Sequence, residues 1–234
     1  MVNLLALDTS DDACSLALSF GGRRWVDHQV VPRGINRVLL AGVEGLLAQA
    51  GVRLGDLDGI AFGAGPGSFT GLRIACGVVQ GLAFGAGLGV LPVSTLEVLA
   101  LGAARRTGAR RSLVAVDARM NEIYWGAYRI DSDEVFSVHP PWVGSPAGVP
   151  VVDAEDDWFG VGSGWRNPTP IEGALGFPVA HTDPDALPEA VDLLELAQRR
   201  LTQGRAHWLD PEAAQPVYLR DQIAWRKRHE RTQG

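Results

Sequence analysis

Lysine is almost absent from this chain of 234 residues, in which Lys227 is the only lysine among 21 basic side chains. A Walker A phosphate loop and a Schiff-base enzyme each need a lysine inside a folded site. The only candidate lies in a polar C-terminal stretch, where we expect no buried site. The sequence therefore disfavours a P-loop nucleotide-binding protein and a Schiff-base enzyme.

Cysteine and histidine are also sparse, and neither forms a metal-binding pattern. The two cysteines, Cys14 and Cys76, lie in apolar stretches at no metal or redox spacing, which predicts buried free thiols rather than a disulfide. No HxxxH or HExxH pattern links the histidines, which are far apart in sequence: His28, His139, His181, His207 and His229. The sequence therefore predicts no local metal site.

Long membrane-spanning runs are missing as well. No stretch of about 18 residues is both apolar and poor in glycine, and the start MVNLLALDTSDDA has no basic leader. These features predict a cytoplasmic protein without a membrane contact. The formal net charge of −6 argues against a broad nucleic-acid surface, which needs clustered Lys and Arg. The basic run WRKRHER, residues 225–231, is compatible with contact to RNA or to an acidic partner, or with simple solvation.

What the chain does contain is a hydrophobic content of 46%, enough for one large domain or two small ones. Apolar runs and turn residues predict three strands before residue 32, then a helix over 36–50 that Gly51 ends. GIAFGAGPG predicts a buried strand that enters a glycine turn. Helical patterns follow over 70–84 and 93–105, the second capped by Ser94 or Thr95. Residues 1–106 are therefore predicted to form an N-terminal α/β lobe.

The strand-and-hairpin pattern of the N-terminus occurs a second time. LVAVDARMNEIYWGAY aligns with LLALDTSDDACSLALS when Asp117 is placed opposite Asp8. This repeat suggests two related α/β halves, which is the organisation of actin-like and Hsp70-like folds, although a strand, an Asp and a hairpin also occur together in other folds. The second lobe, residues 107–214, is predicted to be smaller and irregular apart from an amphipathic helix within 187–204. Residues 215–234 form a predicted C-terminal tail.

The most distinctive stretch is GAGPGSFTGLR, residues 63–73, in which a glycine turn runs into a helix. Backbone NH groups at such a turn bind anions, so phosphate binding is one interpretation. The candidate phosphate-facing residues are Asp8, Thr9, Ser10, Gly65, Gly67 and Ser68. The stretch lacks the P-loop lysine and departs from the GxGxxG pattern, because Pro66 and Phe69 occupy its gaps. We therefore favour a second interpretation, in which the turn shapes the fold.

Three glycines at four-residue spacing suggest a docking surface on the helix that follows. Gly77, Gly81 and Gly85 fall on one face, and together they cost about 2–3 kcal/mol of helix stability relative to alanine. Close packing against another helix, in this chain or in a partner, would offset that cost. The predicted partner-binding residues are Arg37, Leu40, Val43, Leu47, Arg73, Gly77, Gly81 and Gly85.

Two aspartates and two serines carry the remaining catalytic hypotheses. Asp8 and Asp117 lie at strand ends where actin-like ATPases and RNase H-like nucleases place Mg²⁺-associated aspartates. Two-metal nuclease chemistry needs further acids on neighbouring strands, and GIAFGAG and GVLPVS supply none. We favour a structural role for both aspartates and leave the nuclease open. Ser68 and Ser163 lack a GxSxG elbow, which disfavours a hydrolase triad.

Five motifs follow one another along most of the chain: LLALDTSDDACSLAL, GAGPGSFTGLRIACGVVQGLA, PVSTLEVLA, VAVDARMNEIYWGAY and PVYLRDQIAWRK. Together they resemble the TsaB (YeaZ) family, bacterial proteins required for making threonylcarbamoyladenosine in tRNA and related to the TsaD (KAE1) family. GPGSFTGLR and DARMNEIYWG are the most specific of them. Residues 131–210 carry little of the family signature.

The resemblance implies a two-lobed actin-like ATPase fold of the sugar kinase, Hsp70 and actin class, RNase H-like, with a mixed sheet flanked by helices. It also implies a noncatalytic subunit that binds and activates TsaD, the protein that transfers the threonylcarbamoyl group to adenosine 37 of tRNA. It implies contact with TsaD through the N-terminal lobes, participation of the ATPase TsaE, and supply of threonylcarbamoyl-adenylate by TsaC. It also implies a homodimer when the protein is alone, and tRNA contact only through the complex. No cofactor is implied for the chain by itself, and ATP or ADP with Mg²⁺ only in the complex.

The first helix departs from the pattern of the resembled families. TsaD-like proteins carry an HxxxH metal pair there, and TsaB relatives commonly keep one histidine. This chain reads PRGINRVLL, with Ile35 and no histidine. The departure disfavours metal chemistry and agrees with a noncatalytic role.

Two enzyme alternatives remain open. An ATP-binding phosphotransferase of the actin-like class would use Asp8, Thr9, Ser10 and the glycine turn. A glycoprotease-like peptidase is an older label that follows from similarity to TsaD, and the sequence contains no protease constellation to support it.

Overall fold

The computed structural model describes residues 2–31, 34–132, 134–154 and 157–219. The predicted C-terminal tail is therefore described only as far as residue 219, and the basic run 225–231 with Lys227 lies outside the described residues. Within the described ranges the chain forms two five-stranded mixed sheets and five α-helices.

The first sheet joins the three predicted N-terminal strands to two later strands. Its members are β1 (Leu4–Asp8), β2 (Ala13–Phe20), β3 (Arg23–Val30), β4 (Gly59–Gly65) and β5 (Gly89–Ser94), in the order β3-β2-β1-β4-β5. β1 pairs antiparallel with β2 and parallel with β4. Because β1 lies at the centre of the sheet with both faces covered, all of its residues are buried.

The second sheet repeats this arrangement. Its members are β6 (Arg111–Arg119), β7 (Glu122–Asp131), β8 (Glu134–Gly144), β9 (Phe159–Val161) and β10 (His181–Asp183), in the order β10-β9-β6-β7-β8. β6 pairs antiparallel with β7 and parallel with β9, as β1 does with β2 and β4. The sheets thus share one topology, with Asp8 ending β1 and Asp117 near the end of β6. The second lobe is therefore more regular than the prediction for residues 107–214, because the stretch with Pro140 and Pro141 lies in β8, an edge strand, where proline is tolerated.

The helices form three layers, one on the outside of each sheet and one between the sheets. They are α1 (Ile35–Ala50), α2 (Phe69–Ala86), α3 (Thr95–Thr107), α4 (Thr169–Leu175) and α5 (Ala190–Thr202). α1 and α2 pack on the outer face of the first sheet, α3 and α5 lie between the sheets, and α4 packs on the outer face of the second.

The predicted helix end at Gly51 is confirmed, because Gly51 follows α1 in the left-handed conformation with φ of 70°. Ser94 precedes α3, but its side chain makes no capping hydrogen bond.

The end of the chain returns to the first sheet. In α5, the Ala190 amide donates to the Ser15 hydroxyl at 2.8 Å. Residues 207–219, here called the C-terminal strap, then run back along the first sheet and α2. A Cβ atom at Gly59 or Gly89 would overlap Trp208, whose ring lies over both. The predicted division into residues 1–106 and 107–214 did not include this return, and it remains a prediction.

The two cysteines are buried free thiols, as the sequence predicts. Burial raises the pKa of each thiol, Cys14 and Cys76, to about 11. Both side chains therefore contribute to packing in the cluster beneath α1 and α2.

α2 is the one helix in the described part of the chain that is long and apolar enough to cross a membrane by length and composition. This is weak evidence, because the core helices of many proteins meet the same criterion. Its inner residues Ala75, Val79 and Ala83 pack against the first sheet.

Candidate functional site

The glycine turn and the turn between β1 and β2 pack directly on each other. This contact brings together the predicted phosphate-facing residues Asp8, Thr9, Ser10, Gly65, Gly67 and Ser68. The Ser68 amide donates a 2.7 Å hydrogen bond to the Ser10 carbonyl oxygen, and the Thr9 hydroxyl donates a 2.9 Å one to the Gly71 carbonyl oxygen. Asp8, Thr9 and Ser10 are all buried. The two turns form one unit, which we call the closed turn.

Glycine is needed in the closed turn because the two backbones approach too closely for a side chain. A Cβ atom at Gly67 would overlap the Ser10 carbonyl oxygen, and one at Gly71 would overlap the Thr9 carbonyl oxygen. The Ser68 and Gly71 amides, at the start of α2, already donate within the chain. These two amides are therefore already paired inside the closed turn.

Asp8 is only 2% exposed and is hydrogen-bonded inside the closed turn. Its Oδ1 accepts from the Ser10 amide at 2.8 Å and from the Ser10 hydroxyl at 2.6 Å. Its Oδ2 faces Gly63, where a Cβ atom would overlap it. Burial raises the pKa of Asp8 to about 6, although the Ser10 hydrogen bonds act in the opposite direction. The carboxyl group is thus shielded from solvent.

Asp117, the aspartate aligned with Asp8, is solvent-exposed. Its Oδ1 accepts from the Arg119 amide at 2.7 Å, and its Oδ2 lies 3.2 Å from the Arg119 guanidinium. Within the described ranges, no three His, Cys, Asp or Glu side chains are grouped closely enough to hold a metal ion. The two aspartates therefore occupy equivalent strand ends in unlike surroundings.

The candidate serines both support local backbone geometry. The Ser68 hydroxyl caps α2 by accepting a 3.3 Å hydrogen bond from the Gly71 amide. The Ser163 hydroxyl accepts a 3.0 Å hydrogen bond from the Asp117 amide. Neither contact is that of an activated nucleophile.

A serine–histidine contact that the sequence analysis missed joins β2 to β3. Ser15 Oγ lies 3.0 Å from His28 Nδ1, and the strand register places these residues opposite each other. Ser15 is fully buried and also accepts the Ala190 amide. It therefore links β2, β3 and α5 and is inaccessible to a substrate. Alternation along the two strands of a predicted hairpin could have indicated the pair.

The outward face of α2 is open. A Cβ atom added at Gly77, Gly81 or Gly85 would meet no other atom within 4 Å. Phe84 on the same helix is 81% exposed, and Phe69 at its start is 48% exposed. No segment in the described part of the chain packs against the three glycines. If these glycines serve close packing, the partner is another molecule or lies outside the described residues.

α1 exposes part of the predicted set as well. Arg37 is exposed, Leu40 is 47% exposed and Leu47 is half-buried. Val43 does not lie on this face, because it is 2% exposed and points into the core beneath the helix. The expectation that Val43 contacts a partner is therefore corrected. The outer helix surface is defined here as Arg37, Leu40, Leu47, Phe69, Arg73, Gly77, Gly81, Phe84 and Gly85.

Arg73 is held in a fixed position on the outer helix surface. Its Nε donates a 3.1 Å hydrogen bond to the Tyr218 hydroxyl, and its guanidinium carbon lies 3.6 Å from the centre of the Phe69 ring. The Phe69 and Tyr218 rings are 6.1 Å apart. The sequence analysis missed this cluster because Tyr218 is distant in sequence and its motif gave no indication of which residue it contacts.

Comparison with known proteins gives consistent matches. The TsaB proteins of Escherichia coli K12 and Haemophilus influenzae, named tRNA threonylcarbamoyladenosine biosynthesis proteins, are 37% and 36% identical to this chain. In each alignment 97% of this chain is covered, together with 98% and 97% of the relative. The chain belongs to the TsaB family. Residues 29–149 also match the family model described as TsaD, tRNA N6-adenosine threonylcarbamoyltransferase.

Solved structures of TsaB-family proteins agree with the fold. YeaZ from Pseudomonas aeruginosa is 45% identical with a TM-score of 0.87, and covers 94% of this chain and 100% of its own. A second structure from that organism, described as an uncharacterized protein with similarity to peptidase YEAZ, is 46% identical with a TM-score of 0.88 and the same coverage. These likenesses and the family model confirm the predicted actin-like, RNase H-like fold class.

Proposed function

We propose that this TsaB-family chain is a noncatalytic subunit that binds and activates TsaD in threonylcarbamoyl transfer to adenosine 37 of tRNA. The names of its curated relatives support a role in this biosynthesis. The outer helix surface, on the N-terminal lobe, is the proposed TsaD contact. TsaE joins the pair, and the chain forms a homodimer when alone. It contacts tRNA only through the complex, and it acts in the cytoplasm.

The contrast between the closed turn and the outer helix surface carries this proposal. In the closed turn, backbone packs on backbone at Gly67 and Gly71, and Asp8 is buried, which argues against an anion site at these positions. On the outer helix surface, Gly77 and Gly81 face open space despite the cost of about 1 kcal/mol that each imposes on the helix. The first feature supports a noncatalytic role, and the second supports docking.

A Gly81→Leu variant tests the docking surface. A Cβ atom there has open space beside the described residues, so we expect unchanged or higher thermal stability, together with at least tenfold weaker association with TsaD because the bulky side chain blocks close helix contact. Size-exclusion chromatography and calorimetry with purified TsaD measure the association. Gly173→Leu on α4 is the matched control, because Gly173 is also an open helix glycine but lies on the second lobe. Failure of the unaltered chain to bind TsaD at micromolar concentration would refute the proposal.

The phosphotransferase alternative makes a different prediction. Such an enzyme binds ATP and Mg²⁺ without TsaD, whereas we propose that ATP or ADP with Mg²⁺ enters only with the complex. The burial of Asp8 and Thr9 argues against nucleotide binding by the chain alone. Calorimetry of the isolated chain with ATP and Mg²⁺ separates the two, because tight binding would favour the enzyme.

A further inference from the structure

Arg73 is the only charged side chain between Asp58 and Glu97, a segment that includes all of α2. It lies on the outer helix surface among glycines and exposed phenylalanines, one turn after Phe69 and one turn before Gly77. On α2 this cation has no other charged side chain beside it in sequence, and it loses its hydration when a partner covers it. That loss is unfavourable unless the partner supplies an opposite charge.

The guanidinium of Arg73 is already oriented before any partner arrives. The Phe69 ring supports one side of it, and the Tyr218 hydroxyl accepts from Nε at 3.1 Å. No carboxylate in the described part of the chain pairs with Arg73. Its two terminal nitrogens, Nη1 and Nη2, form no hydrogen bond with the described residues and can present parallel N–H groups to a carboxylate. Because Tyr218 and Phe69 fix the side chain, less rotamer entropy is lost on pairing.

We propose that Arg73 is the ionic anchor of the outer helix surface and binds a carboxylate carried by the docking subunit. Tyr218, on the C-terminal strap, is its positioning residue. This inference rests on the proposed function and adds the chemistry of the partner surface, namely a helix with small or apolar side chains opposite the glycines and one Asp or Glu opposite Arg73. A nucleic acid fits this position poorly, because the chain carries a net charge of −6 and Arg73 is isolated from other cations on α2.

Affinity for purified TsaD at two salt concentrations tests the anchor. Arg73→Gln should weaken binding about 30-fold, as expected when one member of a desolvated charge pair is removed. It should also reduce the salt dependence of the remaining affinity. Tyr218→Phe keeps the ring but removes the hydroxyl acceptor, so we expect about fivefold weaker binding with the salt dependence retained. Arg23→Gln is the control. The Arg23 guanidinium carbon lies 4.9 Å from the centre of the Trp25 ring, and Arg23 is not part of the outer helix surface.

Each outcome has one meaning. If the unaltered chain does not bind TsaD, the proposed function and this inference both fail. If the unaltered chain binds and Arg73→Gln binds equally well, the function stands and the anchor is refuted. If Arg73→Gln weakens only self-association or only tRNA retention, the carboxylate is not on the docking subunit and the inference is also refuted. Unchanged melting temperatures of the variants exclude a general loss of folding as the cause.

Discussion

Two glycines of the same helix, α2, differ in how much space surrounds them. Gly71 packs against the Thr9 backbone within the closed turn, whereas Gly81 faces open space ten residues later. The same residue type therefore permits close approach inside the molecule at one end of α2 and, in our proposal, close approach of a partner further along it.

This difference predicts opposite effects of the same substitution. We expect Gly71→Ala to lower the free energy of unfolding by about 3 kcal/mol, because a methyl group would overlap the Thr9 carbonyl oxygen and the closed turn must shift. Gly81→Ala should raise it by about 1 kcal/mol, because alanine is the better helix former and has room. Urea denaturation of both variants measures these changes, and effects of the same sign would contradict the description of the closed turn.

Asp8 gives a prediction about pH. Its pKa is raised from 3.8 to about 6 in the folded chain, so between these values the folded state binds more protons than the unfolded state. The free energy of unfolding therefore falls as pH rises through this range, by about 3 kcal/mol in total from this group. Asp8→Asn removes the titration.

The stability of the unaltered chain minus that of Asp8→Asn should accordingly fall by about 2 kcal/mol between pH 4 and pH 8, because the rest of the titration lies below pH 4. Chemical denaturation at several pH values measures this difference. The raised pKa of Asp192, another buried carboxyl group, contributes equally to both proteins and cancels. A difference independent of pH would show that Asp8 is not buried in the way described.

The sequence predicted some of these residue environments and not others. The short spacing from Asp8 to Ser10 and the glycines of residues 63–73 made a contact between the two turns predictable. The Arg73 and Tyr218 contact joins residues from opposite ends of the chain, and no local pattern encodes such a pair. The burial of Val43 was mispredicted because an apolar residue on an amphipathic helix can lie at the edge of the core or within it.

At the scale of elements, the C-terminal strap ties α2 to the first sheet. The Gln80 amide group donates to the Ala214 carbonyl oxygen at 3.0 Å, and the Val217 amide donates to the Ala64 carbonyl oxygen at 2.8 Å. Val90 and Leu209 exchange two backbone hydrogen bonds of 2.9 Å. The strap therefore contacts both α2, which carries part of the outer helix surface, and the sheet beneath that helix.

Trp208 provides the test of this attachment. Its ring is half-buried over the starts of β4 and β5, so Trp208→Ala should lower the free energy of unfolding by about 2 kcal/mol. Trp208→Phe keeps an aromatic ring in the same place and should lose less than half of that. Thermal and urea denaturation compare the two, and an alanine variant as stable as the unaltered chain would show that the strap is not anchored there.

Most helices and strands were predictable because their signals are local. Alternating or continuous apolar runs marked the strands, and Gly51 marked the end of α1. The return of α5 and the strap to the first sheet was not predictable. Amphipathicity shows that a helix buries one face, but it does not show which sheet receives that face.

At the scale of the whole molecule, the two sheets share one strand order, and two helices lie between them. The internal repeat in the sequence predicted this duplication because equivalent strands carry equivalent apolar patterns. The functional consequence is not contained in the duplication itself, since the same fold class serves kinases, chaperones and nucleases. In our proposal it depends on the closed turn in the first lobe and on the open face of α2.

Reconstituted tRNA modification is the most direct test of the central claim. Purified TsaD, TsaC and TsaE with threonine, bicarbonate, ATP and tRNA are assayed for threonylcarbamoyladenosine with and without this chain. We predict product only when the chain is present, a strong reduction with Gly81→Leu, and no product from the chain without TsaD. Equal product without the chain, or turnover by the chain alone that Asp8→Asn abolishes, would contradict the account.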